Sequence, residues 1–142
     1  MPLPEPVLNA EELSEILVQA FGEGVPRVDA VTSDGVVVRM PVSTRNSRPG
    51  GTLSGPTMMM LADTAAWVAL MSRAGAELLA VTTSLHIDFL RKPHVADLIA
   101  TARIVKFGSA LVVSSVDLRS DGSNEIVATA SVTYSRPRQP AA

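Results

Sequence analysis

Residues 48–70 read RPGGTLSGPTMMMLADTAAWVAL, a glycine-rich loop that runs directly into a long apolar segment. Ser54 or Gly55 can cap a helix at this point, and Pro56 suits the first helical turn, where its missing N–H is no loss. The Met, Leu and Ala residues that follow are strong helix formers, with apolar residues on every side of the helix. We therefore predict a helix over residues 56–74 that is surrounded by protein.

Asp63 is the only charged side chain between Arg48 and Arg73. A carboxylate inside an apolar helix is costly unless it is paired, hydrogen-bonded or functional. A purely structural role is one reading, but the glycine-rich loop favours a ligand site, because glycines allow close backbone approach and helix starts present free N–H groups. Asp63 lies about 12 Å from the helix start by the helical rise. It would therefore meet a substrate from the side of the helix or from a neighbouring subunit.

The composition predicts a single globular domain over residues 1–142. Hydrophobic residues make up 46% of the chain and charged residues 18%, and the net charge of −2 argues against a nucleic-acid-binding surface. The chain has no cysteine, which excludes disulfides and thiolate metal sites. His86 and His94 are too isolated in sequence to indicate a zinc centre, so we predict no metal site.

The chain also lacks the sequence signals of export and of membrane insertion. Its first residues have neither the basic region nor the apolar run of a secretory signal. The apolar part of the central helix is shorter than the ~20 residues of a membrane span and contains an acid. The expectation is a soluble cytoplasmic protein without a membrane partner.

A short helix and two strands are predicted before the central helix. Asn9 can cap the short helix with Glu12 as its reciprocal partner, and Gly22 ends it. The two strands cover Arg27 to Val31 and Val36 to Val42, joined by a tight turn. The helix has one apolar stripe, which we assign to packing rather than chemistry: Leu13, Ile16, Leu17, Ala20 and Phe21.

Four more strands are predicted after the central helix, over residues 79–90, 97–107, 111–119 and 125–134. Tight turns between consecutive strands favour an antiparallel meander. Wrapping this sheet around the central helix is the simplest way to cover a helix that is apolar on all sides. The prediction is an α+β fold, with one curved antiparallel sheet around one long helix, a short N-terminal helix, and loose tails at residues 1–7 and 137–142.

Four short segments are informative when taken together: GTLSG at 51–55, LADTA at 61–65, VT at 81–82 and IDFL at 87–90. Together they resemble the hotdog-fold acyl-CoA thioesterases, most closely the PaaI-like (phenylacetate-pathway type) branch, over about residues 36–134. The resemblance implies the hotdog fold and hydrolysis of acyl-CoA or aryl-CoA thioesters. It also implies no cofactor beyond the coenzyme A of the substrate. The active site would lie between the subunits of a homodimer, or of a homotetramer built as a dimer of dimers.

The family pattern implies catalytic roles for three residues. Asp63 would act as general base on water or as a nucleophile. The Gly55 N–H would stabilise the developing oxyanion, and Thr82 falls on the strand position whose hydroxyl positions the water. The sequence departs from the pattern where Ser54 replaces the usual His and Pro56 replaces the usual second Gly. We count Ser54 among the substrate-binding residues.

The remaining site residues are implied by the loop and by the strand ends. Relatives use a loop Asn near the carbonyl, and we assign this catalytic role to Asn46, although it lies two residues before the usual position, which Arg48 occupies. The cationic side chains Arg48, Arg91 and Lys92 could contact the phosphates of coenzyme A or could be ordinary solvated charges. Met59, from the run of three methionines, could line an acyl tunnel, because methionine adapts to varied shapes.

Three alternatives to a thioesterase stay open at this point. A non-catalytic acyl-CoA-binding hotdog protein, a sensor or carrier, is favoured by the changes at Ser54 and Pro56, while Asp63 favours the enzyme. A structural subunit would bind no thioester at all. A hydratase would require a histidine near Asp63, and neither histidine is near it in sequence. The sequence leaves the identity of the acyl group open.

Overall fold

The computed structural model describes residues 2–42, 47–48 and 52–137. The predicted C-terminal tail, residues 137–142, lies outside this part of the chain except for its first residue. The elements are α1 (Ala10–Phe21), β1 (Arg27–Val31), β2 (Gly35–Met40), β3 (Ser47–Arg48), β4 (Thr52–Leu53), α2 (Gly55–Ala74), β5 (Val81–Phe89), β6 (Leu98–Phe107), β7 (Leu111–Ser120) and β8 (Ile126–Ser135). None of the described helices is long and apolar enough to cross a membrane.

A six-stranded antiparallel sheet covers α2, which confirms the predicted hotdog fold. The strand order is β1-β2-β6-β7-β8-β5, and β3 and β4 form a separate two-stranded hairpin before α2. Strands β6, β7 and β8 pair in sequence, as a meander requires. Ala100, Ala102 and Ile104 of β6 lie on its buried face.

The prediction that β5 starts this meander is wrong. β5 pairs with β8, from Val81 opposite Ser135 to Phe89 opposite Ala128, and therefore forms the far edge of the sheet. The chain then crosses β8 and β7 to reach β6, which is about 14 Å at three strand spacings. Residues 90–97 are long enough for that crossing, since an extended residue spans about 3.3 Å. The Lys92-Pro93 break is thus part of a crossover and not a hairpin turn.

The two helix starts agree with the sequence signals. Asn9 and Glu12 form the reciprocal capping box of α1, and Ser54 caps α2 through its side chain. The N-terminal lead-in, expected to be loose, is held against the end of α2, because the Val7 N–H donates to the Ser72 carbonyl at 2.7 Å.

Burial of α2 differs along its length. Every residue from Thr64 to Arg73 is buried, so the prediction of a helix surrounded by protein holds for this part. Closer to its start the helix is open on one side, where Met59 and Met60 are 41% and 42% exposed. Asp63 lies at the boundary between the two parts and is half-buried.

Candidate active site

Asp63 and Thr82 meet across the gap between α2 and β5. Thr82 Oγ1 donates a hydrogen bond to Asp63 Oδ1 at 2.7 Å. The register of β5 shifts between Thr82 and Ser84, which is a β-bulge. Leu85 packs against the core, so strict alternation would turn Thr83 toward the helix. The bulge turns Thr82 toward the helix instead, because an extra residue reverses the alternation.

Tyr134 supports this pair from the neighbouring strand. It is the cross-strand partner of Thr82, and its hydroxyl donates to the backbone carbonyl of Asp63 at 3.1 Å. Burial of the ring raises the pKa of Tyr134, so the phenol stays protonated and keeps its donor over the ordinary pH range. In the sequence, Tyr134 alternates with the apolar residues of β8 and carries no other signal. Its contact with the helix could not be predicted from that alternation.

Gly55 lies at the start of α2, beside the other end of β5. A β-carbon at Gly55 would lie 3.5 Å from Cζ of Phe89, so the aromatic ring packs directly on the glycine backbone. Within the described part of the chain, no atom accepts a hydrogen bond from the Gly55 N–H. This N–H lies at the positive end of the helix dipole and can stabilise an anionic oxygen.

Gly55 and Asp63 are too far apart to act on one carbonyl group within a single chain. Eight residues of helix separate them by about 12 Å. The neighbouring strand gives the same picture, because Asp63 contacts Thr82 at the start of β5 while Gly55 contacts Phe89 at its end. A single chain therefore contains both predicted catalytic groups, but they do not lie close together.

The other predicted site residues have separate surroundings. Ser54 Oγ accepts the Thr57 N–H at 3.2 Å and lies 2.9 Å from Thr57 Oγ1, so it is engaged in capping the helix. Arg91 is exposed and donates to Glu125 at 2.8 Å, and Lys92 beside it is exposed. Both follow β5 directly, at the end that contacts Gly55.

The predicted loop residues fall at the edge of the described structure. The backbone of Arg48 lies in β3 and pairs with Thr52 of β4. Asn46, which we assigned to the catalytic loop role, lies outside the described residues.

An apolar groove opens beside Asp63, between α2 and the segment that joins α1 to β1. We call it the Asp63 groove, and its volume is about 400 Å³. Of the run of three methionines, Met60 lines this groove, whereas the predicted Met59 is not among its lining residues. Besides Asp63 and Thr64, its main walls are Phe21, Val25, Pro26, Met40 and Met60.

A second groove of about 430 Å³ also has Phe21 among its lining residues. We call it the Thr82 groove. Its walls include Phe21, Trp67, Leu78, Val81, Thr82 and Tyr134. The two grooves therefore share Phe21, and the Thr82–Asp63 hydrogen bond joins a residue of one groove to a residue of the other.

The structure offers no metal site in the part of the chain that it describes, since no three His, Asp or Glu side chains there lie close enough to hold an ion. His86, which is too isolated in sequence to indicate a zinc centre, is exposed. Its Nε2 lies 3.1 Å from Asp88 Oδ2.

Comparison with known proteins points to one family. The model of the thioesterase superfamily matches residues 50–137. The structure resembles that of a protein from a Silicibacter species, provisionally described as a thioesterase, with a TM-score of 0.87 and 39% identity over 94% of this chain and 95% of the other. At 23% identity it shares its fold with a Haemophilus influenzae thioesterase (TM-score 0.79, 94% and 93% covered) and with zebrafish thioesterase superfamily member 2 (0.79, 92% and 99%). No protein with curated annotation matches the chain.

Proposed function

Because the chain belongs to the thioesterase superfamily, we propose that it hydrolyses acyl-CoA thioesters with Asp63 as general base or nucleophile. The observation that carries this proposal is the Thr82–Asp63 hydrogen bond at the mouth of an apolar groove. A carboxylate held by a hydroxyl can orient and deprotonate a water molecule, and an apolar groove beside it can take the acyl group. The sequence resemblance favours the PaaI-like branch.

In the general-base form of the reaction, Asp63 Oδ1 stays bonded to Thr82 and Oδ2 takes a proton from water. The water oxygen attacks the thioester carbon, and the Gly55 N–H stabilises the oxyanion that forms. Collapse of this intermediate breaks the carbon–sulfur bond and releases the CoA thiolate, which is then protonated. If Asp63 instead attacks as nucleophile, a mixed anhydride forms as the CoA thiolate leaves, and water hydrolyses the anhydride. Label found in Asp63 after a single turnover in ¹⁸O-labelled water would identify the nucleophilic route with water attack on the aspartyl carbonyl, because general-base attack puts the label only into the released acid.

We further propose that the complete site forms between two copies of this chain. β5 is an edge strand, and pairing it with a second β5 in antiparallel orientation would set the Thr82 end of one copy against the Phe89 end of the other. Asp63 of one copy would then approach Gly55 of the second copy, which removes the separation of about 12 Å within one chain. Exposed apolar side chains along this edge support its burial by a partner: Leu79, Val81, Phe89 and Leu90. Two such dimers could form the tetramer.

In this dimer the cations that follow β5 would lie beside Gly55. Arg91 and Lys92 would then be the candidates for the phosphates of coenzyme A, together with Arg48 from the loop. The ion pair of Arg91 with Glu125 is exposed and could be exchanged for a phosphate at little cost.

The test is thiol release from a panel of acyl- and aryl-CoA esters by the wild type, Asp63→Asn and Asp63→Ala. Asp88→Asn is the matched control, because it removes one carboxylate from β5 at an exposed position that bonds only to His86 among the described residues. We expect turnover to be lost in both Asp63 variants and kept in the control, with all proteins folded and of equal size in solution. Full turnover without Asp63 would contradict the mechanism.

A non-catalytic acyl-CoA-binding protein is the second candidate. It is favoured by the capping role of Ser54, because the side chain at the position of the family's usual His is engaged within the helix start. Tight binding of acyl-CoA without thiol release would support this candidate over the enzyme.

A further inference from the structure

We propose that the Asp63 groove is the acyl pocket and that Phe21 sets the length of the acyl group it accepts. The proposal rests on the proposed function for its reaction, but it also predicts a binding preference that can be measured without turnover. It assigns a specificity-determining role to the last residue of α1, a helix whose apolar stripe otherwise serves packing.

Phe21 differs from the other residues of its stripe. Leu13 and Leu17 are completely buried, whereas Phe21 is 58% exposed. Its ring stands edge-on to Trp67, with ring centroids 6.0 Å apart and the planes at 73°. This contact is a favourable aromatic geometry that holds the ring in one place. Phe21 is thus an exposed, fixed aromatic wall and not a core residue.

The lining of the Asp63 groove indicates which part of the substrate it takes. Among the described residues that line the groove, Asp63 is the only charged one, and the others are apolar or carry a single hydroxyl. Charged phosphates would lose their hydration there without a partner, whereas an apolar acyl chain would gain from burial. Met40 and Met60 give the walls some freedom to adapt. The groove therefore suits an uncharged, apolar acyl group with its thioester carbonyl beside Asp63.

The size of the groove limits that acyl group. Its volume of about 400 Å³ is near the lower end of the ~300–1,000 Å³ range of small-molecule sites. Phe21 is a wall of both this groove and the Thr82 groove, so we expect a longer chain to meet its side chain before it reaches the Thr82 groove. Removing the ring would join the two grooves and lengthen the pocket. Phe21 therefore determines whether the acyl pocket is short or long.

The test uses two variants that change the pocket in opposite directions. Phe21→Ala removes the aromatic ring from the wall that the two grooves share. Val25→Phe places a larger side chain in the lining of the Asp63 groove and so reduces its volume. We expect the ratio of kcat/KM for a sixteen-carbon to a six-carbon acyl-CoA to rise at least about tenfold in Phe21→Ala and to fall in Val25→Phe, since one misfit methylene in an apolar pocket already changes the rate by ~10-fold or more. Val18→Ala is the control, because Val18 is an exposed residue of the same helix outside both sets of lining residues.

The second readout needs no hydrolysis. Trp67 is the only tryptophan of the chain and touches Phe21, so its fluorescence should report binding of S-alkyl-CoA thioethers, which cannot be hydrolysed. We expect Phe21→Ala to shift the tightest-binding thioether to a longer chain than in the wild type. If Phe21→Ala does not fold, Phe21→Leu replaces it in this measurement of Trp67 fluorescence.

The outcomes separate this inference from the proposed function. Turnover by the wild type with chain-length ratios unchanged in both pocket variants overturns the inference and leaves the thioesterase proposal intact. Absence of turnover, with thioether preference that moves with Phe21, overturns the enzyme and supports the pocket. Absence of both turnover and thioether binding overturns both.

Discussion

The two halves of α2 are both rich in apolar residues but have opposite surroundings. From Thr64 to Arg73 every side of the helix is buried against the sheet, and the small Ala65, Ala66 and Ala69 let the strands approach closely. From Gly55 to Asp63 one side stays open and carries two exposed methionines beside the acid. Apolar residues therefore build the core in one half and the wall of a groove in the other. What separates the halves is the path of the neighbouring elements, which the helix sequence does not specify.

A set of side-chain contacts just beyond the end of α2 keeps the second half of this helix buried. The Glu77 carboxylate pairs with Arg136 at 3.0 and 3.2 Å, and the Glu77 carbonyl accepts the Trp67 indole N–H at 3.1 Å. The Arg136 guanidinium also lies over the Phe107 ring, 4.9 Å from its centroid. Contacts of this kind join α2 to the C-terminal end of β8. The open half is instead joined to β5 by the Asp63–Thr82 hydrogen bond and the Phe89 contact.

The largest expected effect separates activity from stability in the open half. Asp63→Asn should lower kcat by about 10²–10⁴-fold, the usual contribution of a general base. The free energy of unfolding should change by less than about 1 kcal/mol, because the residue is half-buried and the amide oxygen can still accept from Thr82. Thiol release and urea unfolding measure the two quantities. A large loss of stability would show that Asp63 is structural.

The closed half should respond in the opposite way. Leu70→Ala should reduce the free energy of unfolding by about 2–5 kcal/mol, because Leu70 is fully buried and its loss leaves a cavity. Met59→Ala, on the open side, should cost less than about 1 kcal/mol, since Met59 keeps much of its surface in water. Urea unfolding curves of the two variants give the difference directly. Equal losses would mean that a partner subunit buries Met59.

A smaller effect tests the link between α2 and β5. Thr82→Val keeps the shape of the side chain and removes the donor to Asp63 Oδ1, so we expect kcat to fall about tenfold, the equivalent of one hydrogen bond to a charged group. Thr83→Val is the control, because Thr83 is the extra residue of the bulge and its hydroxyl donates to a carbonyl of β8. An effect of Thr83→Val as large as that of Thr82→Val would contradict the assignment of the inward residue.

The smallest expected effect concerns Tyr134. Tyr134→Phe keeps the buried ring and removes one hydrogen bond to the Asp63 carbonyl, which should cost about 0.5–1.5 kcal/mol of stability. We expect kcat to fall only a few-fold, since the Asp63 carboxylate itself loses no contact. Thermal unfolding and thiol release check the two values. A loss of activity as large as that of Thr82→Val would give Tyr134 a direct part in positioning the acid.

Much of the fold and part of the site could be predicted because their signals are local. The capping box at Asn9 and Glu12 and the cap at Ser54 each depend on neighbouring residues, and all are found. Asp63 and Thr82 came from short motifs, and their contact is present in the structure. The sequence could not show that Met60, and not Met59, lines the Asp63 groove. The two residues are adjacent and identical, and only the neighbouring elements decide which of them faces the groove.

The sequence by itself determined the type and the extent of the helices and of the main strands, because capping, turn chemistry and alternation act over a few residues. Tertiary structure alone decided that β5 lies at the far edge of the sheet, and that the bulge turns Thr82 toward Asp63. It also decided that Phe21 stands exposed between two grooves. These features depend on which distant segments pair, and pairing energies arise from contacts that exist only once the sheet has closed around the helix.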